Sequence, residues 1–193
     1  MKIFKRIIIV VVGLFAILLI GGYLLPSTVS LSREITIAAP AEKIFPHIND
    51  LKKFQAWSPW AQLDPNMKMV FSGSPSGKGQ KSSWQSEKSD VGSGSQEITA
   101  SALNKRVATK LDFGEMGTAT AEWDLTPNAL GTNGQGGNAL GTNALGTKVT
   151  WSFQTDLGDN PLMRWMGLMF DNMVGSDYEA GLAKLKALVE AEK

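Results

Sequence analysis

From Ile7 to Leu25 the sequence runs IIIVVVGLFAILLIGGYLL, 19 residues without one charged side chain. A helix rises about 1.5 Å per residue, so this run spans roughly 28 Å, close to the ~30 Å hydrocarbon core of a bilayer. It has no polar stripe to turn toward water, unlike the amphipathic helices of a globular surface. Gly13, Gly21 and Gly22 would weaken a water-exposed helix but are common in membrane spans. Lys2, Lys5 and Arg6 precede the run, and no further cation follows until Arg33. The positive-inside rule then predicts an N-terminus in the cytoplasm. A stub and anchor would occupy residues 1–26, with a domain over residues 27–193 on the far, periplasmic side of the cell membrane. The rival is a cleaved signal peptide, whose apolar region is usually about 7–15 residues and ends in a small-x-small site. This run is longer, and it ends Tyr23-Leu24-Leu25-Pro26, with large residues where small ones are needed. The expectation is a retained, single-pass anchor.

Away from that segment the chain is close to neutral. Its 19 Lys and Arg stand against 18 Asp and Glu, and without the three N-terminal cations the remainder is weakly acidic. Nucleic-acid affinity comes mostly from clustered cations, so a nucleic-acid partner is disfavoured and none is expected. Cys is absent, which removes disulfides, thiolate metal sites and cysteine nucleophiles together. His47 is the single histidine and cannot build a multi-histidine metal site.

The remaining residues alternate with period two in seven places. Val29, Leu31, Ile35 and Ile37 share one face of the first strand, and Arg33 falls on that same face. Pro40 suits a first helical position, and Glu42, Ile44, Phe45 and Ile48 give a short helix that Pro46 kinks. A second short helix is expected from Leu51 to Trp57, stopped by Ser58-Pro59. Strands follow at 67–72, 80–87, 94–103, 106–114, 117–126 and 148–154. Seven short strands at regular spacing predict one curved antiparallel sheet in an α+β fold.

Between the last two strands the pentapeptide NALGT occurs three times, at 128–132, 138–142 and 143–147. A strand follows these glycines, where a phosphate cradle would need a helix. The stretch 128–147 therefore reads as a hairpin loop lengthened by duplication, which costs little in closure entropy. After it, Asn160 and Pro161 open a helix with Leu162, Met166, Met169 and Met173 on one face. The register then breaks at Gly175. Ser176 and Glu179 have the spacing of a capping box, and Tyr178, Leu182, Leu185 and Val189 repeat. Two helices angled at Gly175 are expected.

Few residues suggest reaction chemistry. His47 has no serine at nucleophile-elbow spacing and reads as a surface or cap histidine. Glu122 and Asp124 share a strand face with Thr118 and Thr120, opposite Trp123 and Leu125, so they point toward solvent. Arg33 either sits at a wet sheet edge or presents its charge to a ligand head group. The aromatic content is the stronger signal. Trp57, Trp60, Trp84, Trp123 and Trp151, with Phe113, Phe153, Phe170 and the methionines, supply large adaptable apolar surface, either as packed core or as pocket wall.

The order of elements, one strand, two short helices, six strands and a long C-terminal helix, is that of the helix-grip fold. The sequence resembles the START-like, polyketide cyclase/dehydratase-type (SRPBCC) superfamily in its membrane-anchored bacterial branch. The matching residues begin with Ile35-x-Ile37-x-Ala39-Pro40-x-Glu42-x-Ile44-Phe45, then Asn49-Asp50-Leu51 and Trp57-Ser58-Pro59-Trp60. Gly146-Thr147-Lys148-Val149-Thr150-Trp151 and Gly175-x-Asp177-Tyr178-Glu179-x-Gly181-Leu182 complete them. The resemblance implies a cavity between the sheet and the C-terminal helix, without metal or cofactor, that takes a hydrophobic small molecule or lipid. Trp57, Trp60, Trp84, Phe113, Trp123, Trp151, Met166 and Phe170 would line or gate it, with Arg33 near a head group. Two other readings stay open: a cyclase/dehydratase-type enzyme using Arg33, Glu122 or Asp124, and an envelope interaction module with a filled core.

Overall fold

The computed structural model describes residues 2–129 and 145–192. The middle of the NALGT region, residues 130–144, lies outside them. The first element is the apolar helix α1 (Lys2–Leu24), long and apolar enough to cross a membrane and almost entirely exposed. Seven strands follow: β1 (Thr28–Ile37), β2 (Lys68–Gly73), β3 (Gln80–Gln85), β4 (Ser93–Ala102), β5 (Arg106–Asp112), β6 (Thr118–Ala129) and β7 (Leu145–Asp156). They form one antiparallel sheet in the order β1-β7-β6-β5-β4-β3-β2. Consecutive strands β2 to β7 are neighbours, as hairpins require. β1 and β2 instead sit at opposite edges, so the chain between them must cross the sheet. It does so as three short helices, α2 (Ala41–Ile48), α3 (Leu51–Phe54) and α4 (Pro59–Leu63).

Two elements close the chain, α5 (Pro161–Gly167) and the long α6 (Phe170–Ala191). The expected α+β helix-grip architecture is therefore present. Alternation puts Leu31, Ile37, Ile98, Val107, Trp123, Val149 and Trp151 on the helix-covered face, all buried. Tyr178, Leu182, Leu185 and Val189, the predicted i, i+4, i+7, i+11 set, meet them from α6 and are each at most 2% exposed. Ile44, Phe45 and Ile48 of α2 fill the remaining side. The motif Asn49-Asp50-Leu51 is structural. Gln80 of β3 accepts from the Leu51 amide (2.7 Å) and donates to Asp50 Oδ1 (2.9 Å), pinning the α2–α3 corner to the sheet.

Several local expectations differ. The second short helix ends at Phe54, and Pro59 opens a further helix, α4, because proline tolerates a first helical turn. Pairing of β6 with β7 continues through Asn128↔Gly146 and Ala129↔Leu145, past the boundary expected for the repeat loop. The C-terminal break falls at Leu168–Met169, and Gly175 and Ser176 lie inside α6, so there is no capping box. Gly175 is buried for a packing reason. A Cβ there would overlap the Arg33 guanidinium, which lies across the helix at that point. His47 is buried rather than on the surface; its ring faces Glu192 at 3.2 Å, and its carbonyl accepts from the Trp57 indole at 3.0 Å.

Candidate functional site

Trp151 is the centre of an aromatic cluster on the covered face of the sheet. β7 and β6 put Trp151 directly opposite Trp123, and the two rings stack with centroids 5.5 Å apart. Tyr178 of α6 approaches Trp151 from the other side at 4.0 Å. Trp57, Trp60 and Phe54, from the helical crossing, close round it at 5.4, 5.9 and 6.0 Å. Most of these contacts are edge-to-face, the geometry in which a ring's positive edge meets a negative face. Gly181 makes room for the arrangement, since a Cβ there would meet the Trp151 ring at 2.9 Å and Pro59 at 3.2 Å.

Two polar atoms in this cluster have no partner. The indole Nε1 groups of Trp123 and Trp151 are buried and find no acceptor among the described residues. A buried donor left unpaired costs about 1–3 kcal/mol, so each is a place where an acceptor oxygen would be favoured. Tyr178 is also deeply buried, and burial pushes its phenol pKa up, which keeps the hydroxyl neutral at any physiological pH.

The sequence-predicted residues thus divide. Trp57, Trp60, Trp123 and Trp151 come together. Phe170 stands beside them, stacked on Phe153 at 5.2 Å, and Phe153 in turn lies 6.5 Å from Tyr178. Trp84 and Phe113 pair with each other at 5.9 Å, with no ring contact to the Trp151 cluster among the described residues. Met166 is 53% exposed on α5, outside the cluster. The helical period identified its face correctly, but that face is not covered by the sheet.

Arg33 is on the covered side, as alternation requires, and its charge is committed to α6. Nε donates to Glu179 at 2.8 Å and Nη2 to Asp171 at 2.7 Å. Asp171, Gly175 and Glu179 are spaced by four, so they share one helix face. Gly175 is the flat place over which the guanidinium lies. Glu179 first and Asp171 second raise the Arg33 pKa above its ordinary value. Nη1 donates to the Ser32 carbonyl at 3.1 Å, so each of the three guanidinium nitrogens has a partner within the domain. Glu122 and Asp124 stand on the outer face, where Arg106 bonds the first and lies 3.9 Å from the second. They do not face the aromatic cluster.

Sequence reasoning missed three contributors. Phe54 carried the signal of an apolar residue in a helical crossing, and Tyr178 belonged to the periodic set of α6. Asp177 belonged to the motif Gly175-x-Asp177-Tyr178, but nothing in its spacing gave it a role at the site. It is half-buried next to Tyr178, and burial raises its carboxyl pKa.

The space expected beside Trp151 is occupied by rings. Among the described residues, hollows of about 210 Å³ and 470 Å³ open on the outer face of the sheet. The first is floored by Ser30, Ser32, Thr120, Glu122, Ser152 and Gln154, and the second is bordered by Lys68, Val70 and Ser83.

Residues 28–190 match the profile of the family described as polyketide cyclase / dehydrase and lipid transport. No curated protein sequence is matched. Among solved structures, protein MLL2253 from Mesorhizobium loti superposes with a TM-score of 0.54 at 15% identity, over 85% of this chain and 98% of its own. Truncated norcoclaurine synthase from Thalictrum flavum gives 0.56 at 12% identity, over 86% and 96% of the two chains. The di-domain ARO/CYC protein BexL of the BE-7585A biosynthetic pathway gives 0.56 at 15% identity. That match covers 86% of this chain and 52% of BexL, so this chain spans about half of it. At these identities the likeness establishes the fold alone.

Proposed function

Because the chain belongs to the polyketide cyclase / dehydrase and lipid transport family, we propose that it is a membrane-anchored domain that binds a hydrophobic small molecule or lipid between the sheet and α6. The observation that carries this reading is the pair of orphaned indole N–H groups inside the Trp151 cluster. A filler core has no use for two unpaired buried donors, whereas a hydrophobic ligand carrying a carbonyl or ester oxygen would pair with them. The rings are in mutual contact, so a ligand entering there would have to part them. Trp57, Trp60, Trp123, Trp151, Tyr178 and Phe170 would be the walls. The anchor is α1, retained in the membrane. Lys2, Lys5 and Arg6 favour a cytoplasmic N-terminus and a periplasmic domain.

A second reading rests on the same rings. Trp57, Trp123 and Trp151 are each at most 1% exposed, as in the packed core of an interaction domain that takes no ligand. Titration with an apolar fluorescent probe, on the full chain in mild detergent, separates the two. The ligand reading expects saturable binding by the wild type. Trp151→Phe, which keeps a ring and deletes one N–H, should weaken competition by carbonyl-bearing lipids more than competition by a plain hydrocarbon. Absence of probe binding by the wild type would leave the interaction domain standing. A second arm tests the orientation: a reporter fused after Lys193 should be active only if it functions outside the cytoplasm, and activity solely in the cytoplasm overturns that placement.

A further inference from the structure

The short helix α5 is docked on α1, and three features hold it there. Trp165 Nε1 donates to the Leu18 carbonyl at 2.9 Å, with its ring seated on Gly21. Pro161 packs on Gly22. Arg164, with its side chain only 13% exposed, donates from Nη1 to the carbonyls of Tyr23 (3.1 Å) and Leu25 (3.3 Å). Those carbonyls are at the end of α1, where a helix leaves its last acceptors unpaired and where a cation is favoured.

The docking sets a depth. Leu18 lies six residues before Leu24, the end of α1, so the Trp165 indole reaches about 9 Å along the helix from that end. Interfacial helices bury their apolar face roughly 5–10 Å into the headgroup and acyl boundary, and tryptophan is enriched at that level. One face of α5 and of the first turn of α6 is apolar, with Asp171 turned away from it toward Arg33. Leu162, Met166, Met169 and Met173 are 46–60% exposed, with no charged residue among those four positions. Leu168 and Met169 keep right-handed helical dihedrals, so the stripe continues from α5 into α6.

Resting on the reading of α1 as a retained span, we propose that α5 and the first turn of α6 lie in the headgroup region of the bilayer that α1 crosses, and that the bilayer covers the methionine stripe. Met169 and Met173 face lipid, while Phe170, between them, faces Phe153 inside the grip. A hydrophobic ligand leaving the grip at this end would pass into lipid rather than water.

The absence of native cysteine makes the test direct, because single spin-labelled cysteines need no background removal. Leu14→Cys, Met166→Cys, Met169→Cys and Lys105→Cys are each placed in the full chain, in vesicles of phosphatidylcholine and phosphatidylglycerol. Collisions with oxygen, which concentrates in lipid, are compared with those of a water-soluble nickel chelate. Leu14 marks the span and Lys105, exposed in the β4–β5 turn, marks water. The oxygen preference at Met166 and Met169 should match that of Leu14 and stand far above that of Lys105. Lipid contact at Leu14 with nickel access at Met166 and Met169 overturns the inference and keeps the span. Protection of Met166 and Met169 from both reagents also overturns it, in favour of a second copy of the chain on the stripe. Nickel access at Leu14 overturns the span and the inference together.

Discussion

Helix α6 passes through two unlike surroundings. From Tyr178 onward, its inner face is buried among rings and branched aliphatics, with Leu182, Leu185 and Val189 each at most 1% exposed. Before Gly175, the same helix and the preceding α5 show solvent a row of methionines, while Phe170 and Val174 are only partly covered. Rigid rings define one end, and flexible thioethers the other. Interlocked, mostly edge-to-face rings restrict their own packing, whereas methionine adapts to whatever covers it. The difference separates an end whose rings close the core, and would wall a ligand, from an end whose side chains project away from the domain.

The largest test of that contrast is truncation at each end. Trp151→Ala removes the ring that touches five others and should cost roughly 3–5 kcal/mol of stability, the range for aromatic truncation in a core. Met173→Ala removes an exposed side chain and should stay within about 0.5 kcal/mol. Denaturant unfolding of the full chain in detergent measures both. Equal losses would erase the distinction between the two ends.

This contrast was only half legible in the sequence. Period two located seven strands and put Trp123 and Trp151 on the covered side, because alternation and burial are the same fact in a one-sided sheet. Period 3.6 likewise selected Tyr178, Leu182, Leu185 and Val189. For Leu162, Met166, Met169 and Met173 it showed a shared face but could not show whether anything covers it. The helix break was misplaced because α5 and α6 keep nearly one period across Leu168–Met169. Gly175 drew attention as a breaker, since its actual reason, the guanidinium of Arg33, arrives from far away in the chain. The same distance hid the partners of Arg33, which no local pattern links to it. The site was legible as a set of aromatics, and its orphaned indole N–H groups appear only once the rings are in place.

A middling effect comes from two glycines of α6, one on either side of the boundary. In both, alanine gains helix propensity of up to about 1 kcal/mol. At Gly181 the new methyl would meet the Trp151 ring and Pro59, neither of which can move without disturbing the cluster. Overpacking of that kind costs about 1–3 kcal/mol, so Gly181→Ala should be net destabilising. At Gly175 it would meet the tip of Arg33 and, at 3.4 Å, Asp171 Oδ1, two flexible side chains whose ion pair contributes about 0–1 kcal/mol. Gly175→Ala should therefore be close to neutral. Unfolding midpoints of the two variants decide it, and a larger loss at Gly175 would mean that the Arg33 clamp, rather than the rings, holds α6 on the sheet.

The smallest effect is expected at Asp177, where the two surroundings meet. Burial raises its carboxyl pKa, and no hydrogen bond or ion pair compensates it among the described residues. The sign follows from linkage. A carboxyl whose folded pKa lies above its unfolded value binds its proton more tightly in the native state, so its charged form costs stability once the pH exceeds the unfolded value. That cost is complete above the folded pKa and disappears as the pH falls below about 4, the ordinary aspartate range. Asp177→Asn removes the charge and nearly preserves the shape. It should raise the melting temperature slightly at neutral pH, and the gain should shrink to nothing on acidification. If the variant instead melts lower at neutral pH, the carboxylate has a favourable charged partner in the native protein. The boundary between the ring-filled end and the methionine end would then be held by a specific contact rather than merely tolerated. A gain that persists unchanged into acid would show that shape or helix propensity, and not the buried charge, sets the difference.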